Sequence, residues 1–165
     1  MKSSHRMSCR RAWVPFLVSL AACAQLTARN APVPDEAALK QRVDTFYRAT
    51  AAADFAAALK LMSPGIQRCS TADQLKHDWQ AQGEIKFVSW KVREIRPKGA
   101  EWGGPLEIDC THDRVVVDSA AMVVMDVTSQ KPDGRQSRDK HHCDGWLYIS
   151  GEWYWSGGGE SCDEA

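Results

Sequence analysis

The chain has 165 residues, with 21 Lys and Arg against 21 Asp and Glu, a length suited to one domain. The zero balance hides an asymmetry. Residues 1–22 hold four cations (Lys2, Arg6, Arg10 and Arg11) and no acid, so the chain from residue 23 onward carries a formal charge of −4. Such a body lacks the clustered basic footprint that phosphate neutralisation demands, and nucleic acid is excluded as an expected partner.

The polar, basic residues 2–11 are followed by an apolar run over 12–22 and then by small residues, the order of a secretory signal. As a helix the run rises about 16 Å, roughly half a bilayer core, which is too short for a permanent span. Met1 and Met7 both fit as the start, because residues 7–23 alone make a complete signal. Leu20-Ala21-Ala22-Cys23 resembles the lipobox of bacterial lipoproteins. That resemblance implies a signal peptide over 1–22 and acylation of Cys23 (palmitate or a similar chain). More than one acyl chain would then hold the protein on a membrane. Ala24 in the place of an aspartate implies sorting to the outer membrane, facing the periplasm, within the cell envelope. Ordinary secretion is the alternative, since Ala22-Cys23-Ala24 also fits a cleavage pattern of small residues.

Six cysteines are present. Cys9 leaves with the signal and Cys23 carries lipid. Cys69, Cys110, Cys143 and Cys162 remain, an even set in an oxidising compartment, which favours disulfide bonds.

Residues 23–34 are small, polar and proline-bearing, and read as a lipidated tether. Asp35 is a good N-cap for a first helix, in which Leu39, Val43, Phe46 and Tyr47 recur at helical spacing. Asp54 caps a short second helix, with Ser63-Pro64-Gly65 as its stop. Thr71 and Gln74 have capping-box form and open a third helix carrying Leu75 and Trp79. From residue 86 the period changes. Val88, Trp90 and Val92 alternate with polar residues, as a half-buried strand requires. The β-branched runs 114–117 and 121–128, split by Asp118-Ser119, predict a hairpin. Pro132-Asp133-Gly134 marks the next turn, before a strand over about 138–149. Ser150-Gly151 then precedes a last strand with Trp153 and Trp155. Residues 99–110 are a longer connection, and 158–165 a tail. Helices first and antiparallel strands afterwards define an α+β class.

The helical pair 43–64 and the closing segments 122–136 and 143–157 resemble the nuclear transport factor 2-like superfamily of cone-shaped α+β domains. The features behind this are a helix with an aromatic seam, Asp54-Phe55 opening the next helix, and a final hairpin of aromatic residues about Ser150-Gly151. The resemblance spans residues 35–157 and implies N-terminal helices packed on a strongly curved, mainly antiparallel sheet. The superfamily contains isomerases, dehydratases and cyclases beside non-catalytic binding domains, so fold does not decide function. It does direct attention to the mouth of the cone. Its members often dimerise through the sheet, so a homodimer is an expectation of the resemblance alone.

A carboxylate base in an apolar pocket with a Tyr/Asp oxyanion pair would suit an isomerase. Tyr47, Asp126, Asp109 and His141 are the available groups. Tyr47 is spaced to pack on the sheet with its hydroxyl at the rim. Asp126 lies out of phase with Val123, Met125 and Val127 and is expected to face away from them. Cys110 with His112, and His141 with Cys143, each place two metal-ligand types on one strand face. Their spacing is unlike a zinc module and exported thiols oxidise, so no metal or other cofactor is expected. Glu101, Glu107, Asp109 and Asp113 read as a solvated acidic surface. Trp102, in a Gly-Pro loop, and Trp146, in phase with polar residues, are expected to be exposed contact residues.

Two functions follow. The first is a non-catalytic, anchored cone domain that binds a small apolar ligand or an envelope protein. The alternative is a cone-fold isomerase, dehydratase or cyclase, which needs a deep pocket with convergent polar groups. Bulky Phe46, Trp90, Met122 and Met125 favour a filled or narrow cone. The superfamily's short edge strand after the second helix would set Cys69 within reach of the tail. The resemblance thus implies Cys69–Cys162, which leaves Cys110–Cys143. Pairing through successive hairpins would hold Cys110 and Cys143 about 10 Å apart, beyond the roughly 7 Å limit. That bridge therefore requires residues 108–112 to leave the sheet. Cys143–Cys162, across the final hairpin, is the alternative.

Overall fold

The computed structural model describes residues 33–98, 102–108, 110–158 and 162. The signal segment, Cys23, residues 24–32, Glu101, Asp109 and the remaining tail lie outside the described residues.

Helix α1 (Glu36–Ala51) opens where the Asp35 carboxylate accepts from the Ala38 N–H at 3.0 Å. Leu39, Val43, Phe46 and Tyr47 are buried along one face of it, each apolar side chain worth about 1.5–3 kcal/mol on full burial. Helix α2 (Phe55–Leu59) is capped in the same way by Asp54, which accepts from Ala57 at 3.0 Å. Pro64 does not merely stop this helix. It opens α3 (Pro64–Cys69), because a fixed φ and a missing N–H suit a first helical turn. Four helices therefore stand among the described residues where three are expected. The fourth, α4 (Ala72–Ala81), has both halves of the Thr71/Gln74 capping box.

The strands are β1 (Lys86–Pro97), β2 (Gly104–Glu107), β3 (Arg114–Val117), β4 (Ser119–Gln130), β5 (Gln136–Ile149) and β6 (Glu152–Gly158). Four make an antiparallel sheet in the order β1-β4-β5-β6, while β2 and β3 form a separate two-stranded ribbon. The fold is α+β, as expected. Helix α1 touches β1 at one edge of the sheet and β6 at the other, so it crosses the covered face. Ala121, Val123, Met125 and Val127 of β4 meet α1 in the main core. The intervening residues face the other way. Ala120 joins Val117, Leu147 and Ile149 under the ribbon, and Met122 and Val124 pack with Cys143 and Cys162. Period-two alternation thus divides this sheet into an inner, helix-covered face and an outer face.

Two strand expectations are corrected, and the turn before the last strand is as expected. The pairing of β1 slips between Phe87 and Ser89, and this bulge turns Val88 outward, where it is 46% exposed. An extra residue in one strand reverses the phase that simple alternation predicts. The hairpin expected between 114–117 and 121–128 is absent. Asp118 is instead a crossing point, its N–H donating to the Tyr148 carbonyl and its carboxylate accepting from Ser150 N. There the chain leaves the ribbon and enters the sheet. Finally, Ser150 and Gly151 both have positive φ, 52° and 89°, the tight turn that joins twisted antiparallel strands.

The cysteines pair as Cys69–Cys110 and Cys143–Cys162, with Cα–Cα distances of 5.7 Å in each case. This corrects the expected Cys110–Cys143 and Cys69–Cys162. Residues 61–63 bond to the β6 edge, through Met62 and Trp155, so the chain has already left that edge when it reaches Cys69 in α3. Cys110, in the β2–β3 loop, comes to the end of α3 instead, beside the Arg68–Asp113 ion pair at 2.8 Å. Cys162 returns over the outer face of β5 to Cys143, the alternative stated above.

Candidate functional site

A cavity of about 500 Å³ lies between α1, α2, α4 and the inner face of the sheet, walled by Phe46, Tyr47, Phe55, Trp79, Phe87 and Trp155. Its rings follow one another: Phe55 to Trp79 at 6.1 Å, Trp79 to Phe87 at 5.4 Å and Phe87 to Tyr47 at 4.9 Å between centroids. Phe46 stacks on Trp155 at 5.1 Å. Phe46, Trp90, Met122 and Met125, expected to leave a filled or narrow interior, do not fill this space. Met122 points to the outer face, and Trp90 is held beside Tyr47 by its indole N–H, which donates to Asp44 at 3.1 Å.

Polar groups close the apolar space at one end. The Tyr47 hydroxyl donates to Asp144 Oδ2 at 2.8 Å. Asp144 Oδ1 lies 3.3 Å from His142 Nε2, and His142 Nδ1 lies 3.4 Å from Asp139 Oδ2. The Asp144 side chain is 2% exposed and that of His142 20%. A buried carboxylate is tolerable when both oxygens find donors. Burial above all, and then the Asp144 charge, pushes the Tyr47 phenol far above the ordinary tyrosine range. Burial opposes the imidazolium form of His142, but Asp144 and Asp139 outweigh it, and the net displacement is upward. Gly158 faces Asp144 across the β5–β6 pair, where a Cβ would fall inside the carboxylate. The terminal glycine run thereby makes room for the acid.

His142 also borders a second hollow of about 320 Å³ with Asp139, Ser129 and Ser137. Among the described residues, the Trp155 indole N–H on the cavity wall has no hydrogen-bond partner.

Of the residues singled out by sequence, Tyr47 lines the cavity, although its hydroxyl is buried and not at a rim. Asp126 lies away from the cavity and pairs with Arg93 at 3.1 Å and Arg138 at 3.8 Å. His141 is exposed, one residue out of phase with the cavity. Trp146 is not exposed. It is fully buried against Phe46, at 6.0 Å between centroids, because the polar residues in phase with it are the buried Asp144 and the half-buried His142. Trp102 is half-buried, packed on the Val117–Leu147 cluster with the Lys98 ammonium 5.1 Å from its ring. Cys110 and Cys143 belong to different bridges, and among the described residues no group of three or more His, Cys, Asp or Glu is placed to hold a metal ion. Sequence reasoning missed Asp144 and His142. The signal that could have found them is their phase on β5, shared with Trp146 and Tyr148.

The fold and cavity define an α+β domain with helices over one face of an antiparallel sheet and a small-molecule-sized space beneath them. No family model and no curated protein matches the chain. Among solved structures it is similar to the solution structure of a SEC-C motif containing protein from Rhodopseudomonas palustris, with a TM-score of 0.50 and 20% identity. That match covers 84% of this chain and 88% of the other, and it is a likeness of fold. Among the described residues no helix is long and apolar enough to cross a membrane.

Proposed function

We propose that the chain is an exported lipoprotein, anchored through Cys23 at the periplasmic side of the outer membrane, whose domain binds a small apolar ligand. In this reading the domain is a nuclear transport factor 2-like cone and its mouth is the cavity described above. The lipobox-like residues 20–23, the Asp54-Phe55 helix start and the closing aromatic hairpin support the assignment. One observation carries the ligand: a cavity of about 500 Å³ with aromatic walls and a few polar groups at one end, the usual form of a small-molecule site. Binding without turnover is the better fit, because the polar groups are spent on one another. Both Asp144 oxygens are engaged, by Tyr47 and by His142.

The test is to purify the processed protein from membranes, denature it and analyse the extract by mass spectrometry. A single apolar compound in near-equimolar amount is expected, and it should be lost when Leu75→Trp fills the cavity. The same sample should show an acylated N-terminal Cys23. An unmodified N-terminus at a later residue contradicts anchoring, and an extract unaffected by Leu75→Trp contradicts binding in the cavity.

A second reading, a cone-fold enzyme of isomerase, dehydratase or cyclase type, is favoured by His142. Its imidazole borders the cavity and is flanked by two carboxylates, an arrangement that suits general acid–base work. Chemical change of the extracted ligand on incubation with fresh protein, abolished by His142→Gln, would establish it.

A further inference from the structure

Resting on the proposal that the cavity binds a ligand, we infer that it selects an organic cation: an apolar body carrying an ammonium group. The charges that border the cavity and its neighbouring hollow are predominantly acidic. Asp144 lies at the floor, Asp78 on the wall and Asp139 beside His142 in the adjoining hollow. These carboxylates outnumber the single imidazole even when it is protonated. Among the described residues no Lys or Arg lines either space; Lys76 and Lys86 line a different hollow, which shares Phe55 and Trp79.

The walls fit the same ligand. Phe55, Trp79, Phe87 and Tyr47 follow one another at interplanar angles of 62°, 72° and 55°, so successive rings stand steeply to each other as in a box. Aromatic faces attract an ammonium group through their quadrupoles, and the attraction strengthens as water is excluded. An anionic ligand would meet three carboxylates with the His142 imidazole alone to offset them among the described lining residues. A neutral apolar ligand would use the rings but leave the field of the acids unused.

The test is the affinity of the full mature chain for three molecules of nearly the same shape, measured by ligand-observed NMR at low salt. They are benzyltrimethylammonium, the neutral isostere neopentylbenzene and the anion phenylmethanesulfonate. The cation should bind about tenfold more tightly than the neutral isostere, and the anion most weakly. Asp78 is exposed, so Asp78→Lys should fold normally and cut the preference for the cation by about threefold or more. Equal affinity for cation and isostere, or tighter binding of the anion, overturns the inference while leaving a ligand cavity in place. Binding of none of the three overturns both.

Discussion

The two faces of strand β5 are built from interleaved residues and do different work. The inner set is His142, Asp144, Trp146 and Tyr148: the first two line the cavity, the first three touch Phe46 or Tyr47 of α1, and Tyr148 packs on the main core. The outer set, Cys143, Leu147 and Ile149, seals the sheet against the tail and the ribbon. Polarity does not separate them. The inner face holds a buried acid, and the outer face holds a disulfide and aliphatic side chains. What separates them is partnership: the inner Asp144 and His142 have partners fixed by α1 or by β5 itself, whereas the Trp146 indole N–H has none among the described residues.

The largest expected effect lies on the inner face. Trp146→Ala should cost about 3–5 kcal/mol, as truncation of a fully buried aromatic does. Urea denaturation reads this as a large fall in midpoint, whereas an exposed contact tryptophan would leave it nearly unchanged.

Next comes the outer face. Removing the Cys143–Cys162 bridge by the double change to Ala should cost about 3 kcal/mol, in keeping with its short loop. Ligand affinity should change little, since neither residue lines the cavity. Non-reducing peptide mapping should recover Cys143 with Cys162 and Cys69 with Cys110; recovery of Cys110 with Cys143 would contradict the fold described.

Tyr47→Phe sharpens the contrast, because it should cost about 2 kcal/mol by leaving Asp144 short of a donor and should also weaken ligand binding. Equal stability of the variant would show that the hydroxyl contributes nothing to holding the acid.

A smaller effect is the pH dependence set by His142. Its displacement is upward from the usual value of about 6.5, so folding favours the protonated ring. That contribution is complete below about pH 6.5 and is lost as pH rises through the folded value. Denaturation midpoints taken from pH 5.5 to 9 should show the decline in the parent chain, and His142→Gln should flatten it. An unchanged profile would remove His142 from the network.

Much of this fold was legible because local chemistry is written locally. Asp35, Asp54 and the Thr71/Gln74 box cap the helices that their positions announce, and the α1 seam is buried as its spacing requires. The strand partners were less legible. Residues 114–117 have the composition of a hairpin arm, and only the long-range bonds of Asp118 reveal that the chain changes sheets there. The site was half legible. Tyr47 was found by helical phase, but Asp144 and His142 were hidden by the rule that polar residues mark the wet face. The rule fails where a partner from another element, here the Tyr47 hydroxyl, satisfies the buried group. The same error sent Trp146 to the surface and drew attention to His141 in place of its neighbour.

The most direct measurement is methyl-resolved NMR of the full mature chain, titrated with small apolar molecules. The account predicts shifts concentrated on Met62, Ile66 and Leu75, which line the cavity, with Leu106, Val115 and Val116 of the outer ribbon silent. Shifts confined to the exposed Leu106 and Val116, with the cavity methyls unmoved, would contradict it and place recognition on the opposite side of the sheet.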